Sequence, residues 1–212
     1  MLDYLGYLLG GLLLSLEIGL SALFLGFLLG LVFAVMRCFG SAPVSRFAAT
    51  YVEVIRNTPT TVQLFIVYFG LPAINVYFSG VVAVIIALSI NSGAYQAEYF
   101  RGAIESIGGG QMDAARSTGM SRLQAIRYVI TPQALRLALP SWSNEAAYMP
   151  KITSVAFLVA VPELMSRAKI VAIDTFQPLQ VYLVTACVYL VVITLMSQGL
   201  DRVYQKYKLR LE

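Results

Sequence analysis

From Leu8 to Met36 the chain runs for about 29 residues with a single charged group, Glu17. That run limits what the chain can be. Roughly 20 apolar residues cross a bilayer as a helix, and in hydrocarbon every backbone polar group must be bonded internally. The whole sequence shares this character. Its 212 residues are 58% hydrophobic and 12% charged, with mean hydropathy +0.75, where soluble domains carry about a quarter charged residues. We read an all-α polytopic membrane protein of about five spans, forming one transmembrane domain over 1–212. The expected spans are 8–36, 48–71, 79–101, 134–165 broken by prolines, and 181–199, with a cytosolic loop over 102–133.

Several function classes are excluded. The chain has no histidine, and Cys38 and Cys187 stand far apart in apolar segments, so neither a zinc site nor a disulfide framework is expected. The net charge of +4 is spread over loops and reads as topology, with no nucleic-acid partner. Met1-Leu-Asp-Tyr lacks a basic n-region and a cleavage site, so the first apolar run is expected to be retained. With five spans, all of the fifteen basic residues except Lys151, Arg167 and Lys169 fall on one side. The positive-inside rule makes that side cytosolic, with the N-terminus outside and the C-terminus inside.

Glycines at 6, 10, 11, 19, 26 and 30 would let another helix approach span one closely. Glu17 is a functional candidate by position or an interfacial group. In span two, Arg56-Asn-Thr-Pro-Thr-Thr-Val-Gln63 is polar, and Pro59 predicts a break after a short cytosolic or interfacial helix. Polar groups inside the spans must face protein or a wet path. Gln63, Asn91, Asn144, Glu145, Lys151, Thr153 and Ser154 are therefore candidate pathway residues, with Gln96 another. Bridging between helices is the alternative for each. Glu98 and Arg101, three apart, are expected to pair with each other.

A polar, helix-prone island, Gly110 to Ser121, interrupts the hydrocarbon. Ser121 is a plausible N-cap. Leu123, Ile126, Val129 and Ile130 follow at helical spacing and predict an amphipathic helix ending before Pro132. The chain holds no phosphate-binding loop and no redox signature, so its energy would come from elsewhere. An amphipathic helix lying on lipid headgroups is the other reading of the island.

Six motifs along the chain resemble one family. Asp113-Ala-Ala115, Gly119 and Val129-Ile-Thr-Pro132 are similar to the EAA loop of ATP-binding-cassette (ABC) importer permeases, with Asp for Glu, Val for Ile and Thr for Leu. Arg56–Pro72 and Asn91–Ile104 resemble stretches of the polar amino acid permeases. Ser143-Asn-Glu145, Lys151-Ile-Thr-Ser154 and Pro162-Glu-Leu164 resemble their later signatures, with Ile152 where the family has Asp.

The resemblance implies a type I importer permease fold and no enzyme activity in this chain. It implies no cofactor or metal here, with ATP and Mg on two partner ATPase subunits. The other implied partners are a second permease chain, identical or related, and an extracytoplasmic amino-acid-binding protein. The setting would be a bacterial cytoplasmic (inner) membrane. Gly110, Gln111, Asp113, Ala114, Ala115, Arg116, Gly119 and Met120 would couple to the ATPase. The expected cargo is polar amino acids, leaning to basic ones or opines, with Glu145 balancing a cationic ligand. An ion-gradient carrier and a non-transporting scaffold are the alternatives.

Overall fold

The computed structural model describes residues 2–207. Met1 and 208–212 lie outside the described residues, among them Lys208 and Arg210 of the basic tail. The elements in order are α1 (Leu2–Phe39), α2 (Ala42–Arg56), α3 (Thr60–Phe65), α4 (Gly80–Ser106), α5 (Gly109–Ser117), α6 (Arg122–Ala125), α7 (Thr131–Ile152), α8 (Leu164–Thr175) and α9 (Pro178–Tyr207). Three of them, α1, α4 and α9, are long and apolar enough to cross a membrane.

Contacts fix the directions. Gly26 and Gly30 of α1 face Gly93 and Ala97 of α4, so these helices run parallel. Along α7, Trp142 reaches Gln96 and Glu145 reaches Ser92, so α7 runs against α4. Tyr189 of α9 lies level with Ser15 of α1 through Glu163, and Leu200 further on packs against the core cluster to which Ile18 and Leu23 of α1 belong. Helices α1, α4 and α9 therefore point one way, and α2–α3 and α6–α7 return the chain. The ends of α1, α4 and α9 share one end of the bundle with α5.

Small residues set the central packing. A Cβ on Gly30 would lie 2.7 Å from Gln96 Cβ and 3.0 Å from the Ala97 backbone nitrogen, so α1 and α4 touch backbone to backbone. Gln96, fully buried, fastens this seam: Nε2 donates to the Leu23 carbonyl and Ser92 Oγ, and Oε1 accepts from the Trp142 indole. A Gly30→Val substitution overpacks the seam. It is expected to cost about 1–3 kcal/mol, read as a lower unfolding temperature of the purified complex. Gly6→Val, with nothing within 4 Å of its Cβ, should leave that temperature unchanged.

The return path differs from expectation in three places. First, the short helix before the predicted Pro59 break is not a detached surface segment. Tyr51 stacks on Phe33 and donates to the Ile90 carbonyl of α4, so α2 packs along the bundle, and the break follows it with Asn57 and Pro59 exposed. Polar side chains cover the carbonyls this break frees. Asn57 Nδ2 donates to Glu53, Thr58 Oγ1 to Val54, and Gln63 Nε2 to both Ile55 and Thr58.

Second, the helix begun at Ser121 does not end before Pro132. A π turn over Ile126–Ile130 carries it into α7, with the Thr131 N–H reaching the Ile126 carbonyl. The wider turn makes room for the proline ring, which would clash with a carbonyl of a regular helix. Third, Pro140 and Pro150 sit inside α7 without breaking it. The turns around them are held by Ala138, Ala146 and Met149, buried against the rest of the bundle. The helix gives way only after Ile152, in a 3-10 stretch over Thr153–Val159.

Candidate functional site

Helix α4 presents Asn91, Tyr95 and Tyr99, four residues apart, along one face. Opposite them α7 presents Asn144, Glu145 and Tyr148. Together with Thr60 these residues line a cavity of about 330 Å³. Glu145 is 6% exposed. Its carboxylate accepts from Ser92 Oγ at 2.7 Å and from the Tyr99 hydroxyl at 3.3 Å. Among the described residues, no cation pairs with it. A carboxylate at this depth, held by neutral hydroxyls and walled by three tyrosines, is arranged to receive positive charge. Tyrosine faces attract cations as well.

The pathway candidates do not all meet here. Asn91, Asn144 and Glu145 line the cavity. Gln63 is buried one step behind, its Oε1 accepting from Asn91 at 3.3 Å while its amide closes the helix break. Lys151 is exposed at the end of α7. Thr153 is 0% exposed, its hydroxyl turned back to the Pro150 carbonyl and its methyl against Gly19, so it does not line the cavity. The Ser154 hydroxyl likewise bonds to the Lys151 carbonyl. Tyr95, Tyr99 and Tyr148 were missed. The four-residue spacing Asn91, Tyr95, Tyr99 was the available signal.

Toward the α5 end, Glu98 collects arginines from three helices. Arg37 of α1 donates to its Oε1, Arg101 donates Nε at 3.0 Å and Nη2 at 2.8 Å to its Oε2, and Arg56 of α2 stands 3.9 Å away. Arg101 also reaches Glu105 at 2.6 Å. Of the arginines around Glu98, only Arg101 stood at a local spacing.

The island folds as α5 between two glycines of positive φ, Gly108 at +74° and Gly119 at +87°. At its end the Met120 N–H bonds to the Ala115 carbonyl and the Gly119 N–H to Arg116, a Schellman closure. Ser121 then caps the following helix, accepting from the Gln124 N–H while Gln124 Oε1 accepts from the Ser121 N–H. Gly110, Gln111, Asp113, Ala114, Arg116 and Gly119 are exposed. Ala115 is turned inward at 6% exposure, and Met112 packs beside Phe39 and Ile104, so these two seat α5 on the bundle and only Ala114 of the alanine pair faces outward. Met120 is half-buried. Asp113 lies one turn into α5, beyond the first turn where a carboxylate best opposes the helix dipole. Its carboxylate has no partner among the described residues.

Known proteins resemble this chain along most of its length. Residues 26–208 match the family described as binding-protein-dependent transport system inner membrane component. The glutamine transport system permease protein GlnP of Escherichia coli is 36% identical over 186 residues, covering 87% of this chain and 85% of its own length. The nopaline transport system permease protein NocM of Agrobacterium fabrum is 33% identical over 198 residues, covering 87% and 80%. A crystal structure of an amino acid ABC transporter with histidines superposes with TM-score 0.88 at 34% identity, over 97% of this chain and 96% of that one. An inward-facing MetNI methionine ABC transporter, at 18% identity and TM-score 0.80, shares the fold. With the family matched over most of its length, the chain belongs to the binding-protein-dependent transport system inner membrane components, the membrane permease subunits of ABC transporters.

Proposed function

We propose that this permease carries amino acids inward, with a preference for those bearing a cationic side chain or an opine-like equivalent. The observation that carries the preference is Glu145: a buried carboxylate on a cavity wall, bonded only to hydroxyls. Ionisable groups inside a membrane bundle mark substrate or ion paths. The relatives supply the amino-acid class, through proteins named for glutamine and nopaline transport and a transporter crystallised with histidines.

The division of labour follows the family. Two permease chains form the path, two cytosolic ATPase subunits supply the energy, and an extracytoplasmic binding protein delivers the ligand. The basic end of the bundle faces the cytosol by the positive-inside rule. There α5 presents Asp113, Ala114 and Arg116 to a groove on the ATPase and passes its closure to the bundle.

The test is uptake into proteoliposomes holding the complete transporter, comparing arginine and histidine with glutamine. Removing one member of a buried charge pair costs about 2–5 kcal/mol, and about 1.4 kcal/mol is tenfold. Glu145→Gln is therefore expected to lower arginine uptake about tenfold or more, and glutamine uptake far less. An unchanged arginine-to-glutamine ratio in that variant would sink the cationic reading.

A further inference from the structure

Arg56 ends α2, one residue before the break that Gln63 closes. Its guanidinium carbon lies 5.1 Å from the ring centre of Tyr95, a wall of the Glu145 cavity. Among the described residues, the carboxylate within 4 Å of it is Glu98, which is already taken on both oxygens by Arg37 and Arg101. Three guanidiniums thus share two carboxylates, Glu98 and Glu105. Arg56 has the loosest hold: its side chain is 41% exposed, against 16% for Arg37 and 29% for Arg101. A surplus cation inside a membrane bundle calls for an anion.

A second cavity of about 360 Å³, walled by Glu98, Gly102 and Ser106, shares one lining residue, Tyr99, with the first. Glu145 sits on one side of Tyr99, and Arg56 lies beside Tyr95, the preceding turn of the same face. An amino acid with a cationic side chain carries a cation at one end and a zwitterionic head, α-ammonium and α-carboxylate, at the other. Glu145 can hold a cation but not the α-carboxylate.

We propose that Arg56 is a specificity-determining residue that receives the α-carboxylate of the amino acid whose cationic end rests at Glu145. The inference rests on the Glu145 reading above. A guanidinium meets a carboxylate with two parallel N–H donors. Arg56 can turn to it without undoing the Arg37–Glu98 or Arg101–Glu98 pairs. The consequence is a permease that itself selects a zwitterionic head group, independently of the external binding protein.

The test is direct binding of arginine and of agmatine, which is arginine without its carboxylate. The sample is the permease–ATPase complex in lipid nanodiscs, with no binding protein. A hydrogen bond between charged groups contributes about 1.5–3 kcal/mol, so the wild-type complex should prefer arginine about ten- to a hundredfold. Arg56→Gln should bring the two affinities together, through weaker arginine binding with agmatine binding kept. Arg56→Lys, a point charge without the fork, should restore part of the preference. Glu145→Gln should weaken both ligands alike. If Arg56→Gln keeps the wild-type preference, or loses agmatine as fully as arginine, the assignment of Arg56 is overturned while the Glu145 reading stands. If the wild-type complex binds neither ligand, the Glu145 reading fails and takes this inference with it.

Discussion

A Gly119→Val permease is expected to assemble but to lose ATP-driven uptake. Gly119 sits at φ +87°, and a Cβ there would meet nothing within 4 Å. The constraint is therefore backbone conformation rather than space. Left-handed backbone costs a non-glycine residue about 1–2 kcal/mol, and a β-branched one is a true outlier there. Valine would shift the backbone toward negative φ and open the bond from Met120 to the Ala115 carbonyl that ends α5. The bundle core does not include this turn, so folding survives. What is lost is the angle at which α5 meets its partner. Ligand-stimulated ATP hydrolysis and uptake should fall together by about tenfold or more, the factor that ~1.4 kcal/mol represents. Asparagine tolerates the left-handed region, so Gly119→Asn should keep most of the coupling. Full coupling in the valine variant would remove α5 from the transmission path.

Much of this architecture was legible in the sequence, and the exceptions have physical causes. The glycines of the first span announced close packing, and five of the six meet another helix; Gly6 meets nothing. Gly119 and Ser121 were readable because turn and cap chemistry is local, set by φ and by one hydroxyl. The prolines misled at 132, 140 and 150 because propensity rules describe an isolated helix. Here a π turn and buried neighbours absorb the defect. Of the cavity, the polar members stood out against hydrocarbon, whereas Tyr95, Tyr99 and Tyr148 looked like ordinary apolar filling. Thr153 and Ser154 stood out equally, yet each spends its hydroxyl on a carbonyl three residues back. Arg37 and Arg56 were counted as loop charges. Their meeting at Glu98 is a long-range contact, 61 residues apart in the case of Arg37, and local spacing carries no trace of it.

Glu98→Ala is expected to be the most destabilising single change in the bundle outside the glycine seam. Among the described residues, Glu98 is the carboxylate that meets arginines of α1, α2 and α4 together, and its side chain is 18% exposed. Without it Arg37 has no acidic partner, and Arg101 keeps only Glu105. Stranding a fully buried cation costs roughly 2–5 kcal/mol, and these part-buried arginines should fall toward the lower end of that range. It should appear as lower yield and a lower unfolding temperature of the purified complex. Deleting both members of such a pair is far milder than deleting one. Glu98→Ala combined with Arg37→Met should therefore recover part of the loss. Such recovery would identify the defect as an unpaired charge rather than lost packing volume. The same measurement ranks the arginines. Arg37 shares a direct hydrogen bond with Glu98, and Arg56 stands 3.9 Å off. Arg37→Gln should therefore cost more stability than Arg56→Gln. The opposite order would mean that Arg56 holds the bundle together, leaving it no freedom to meet a passing carboxylate.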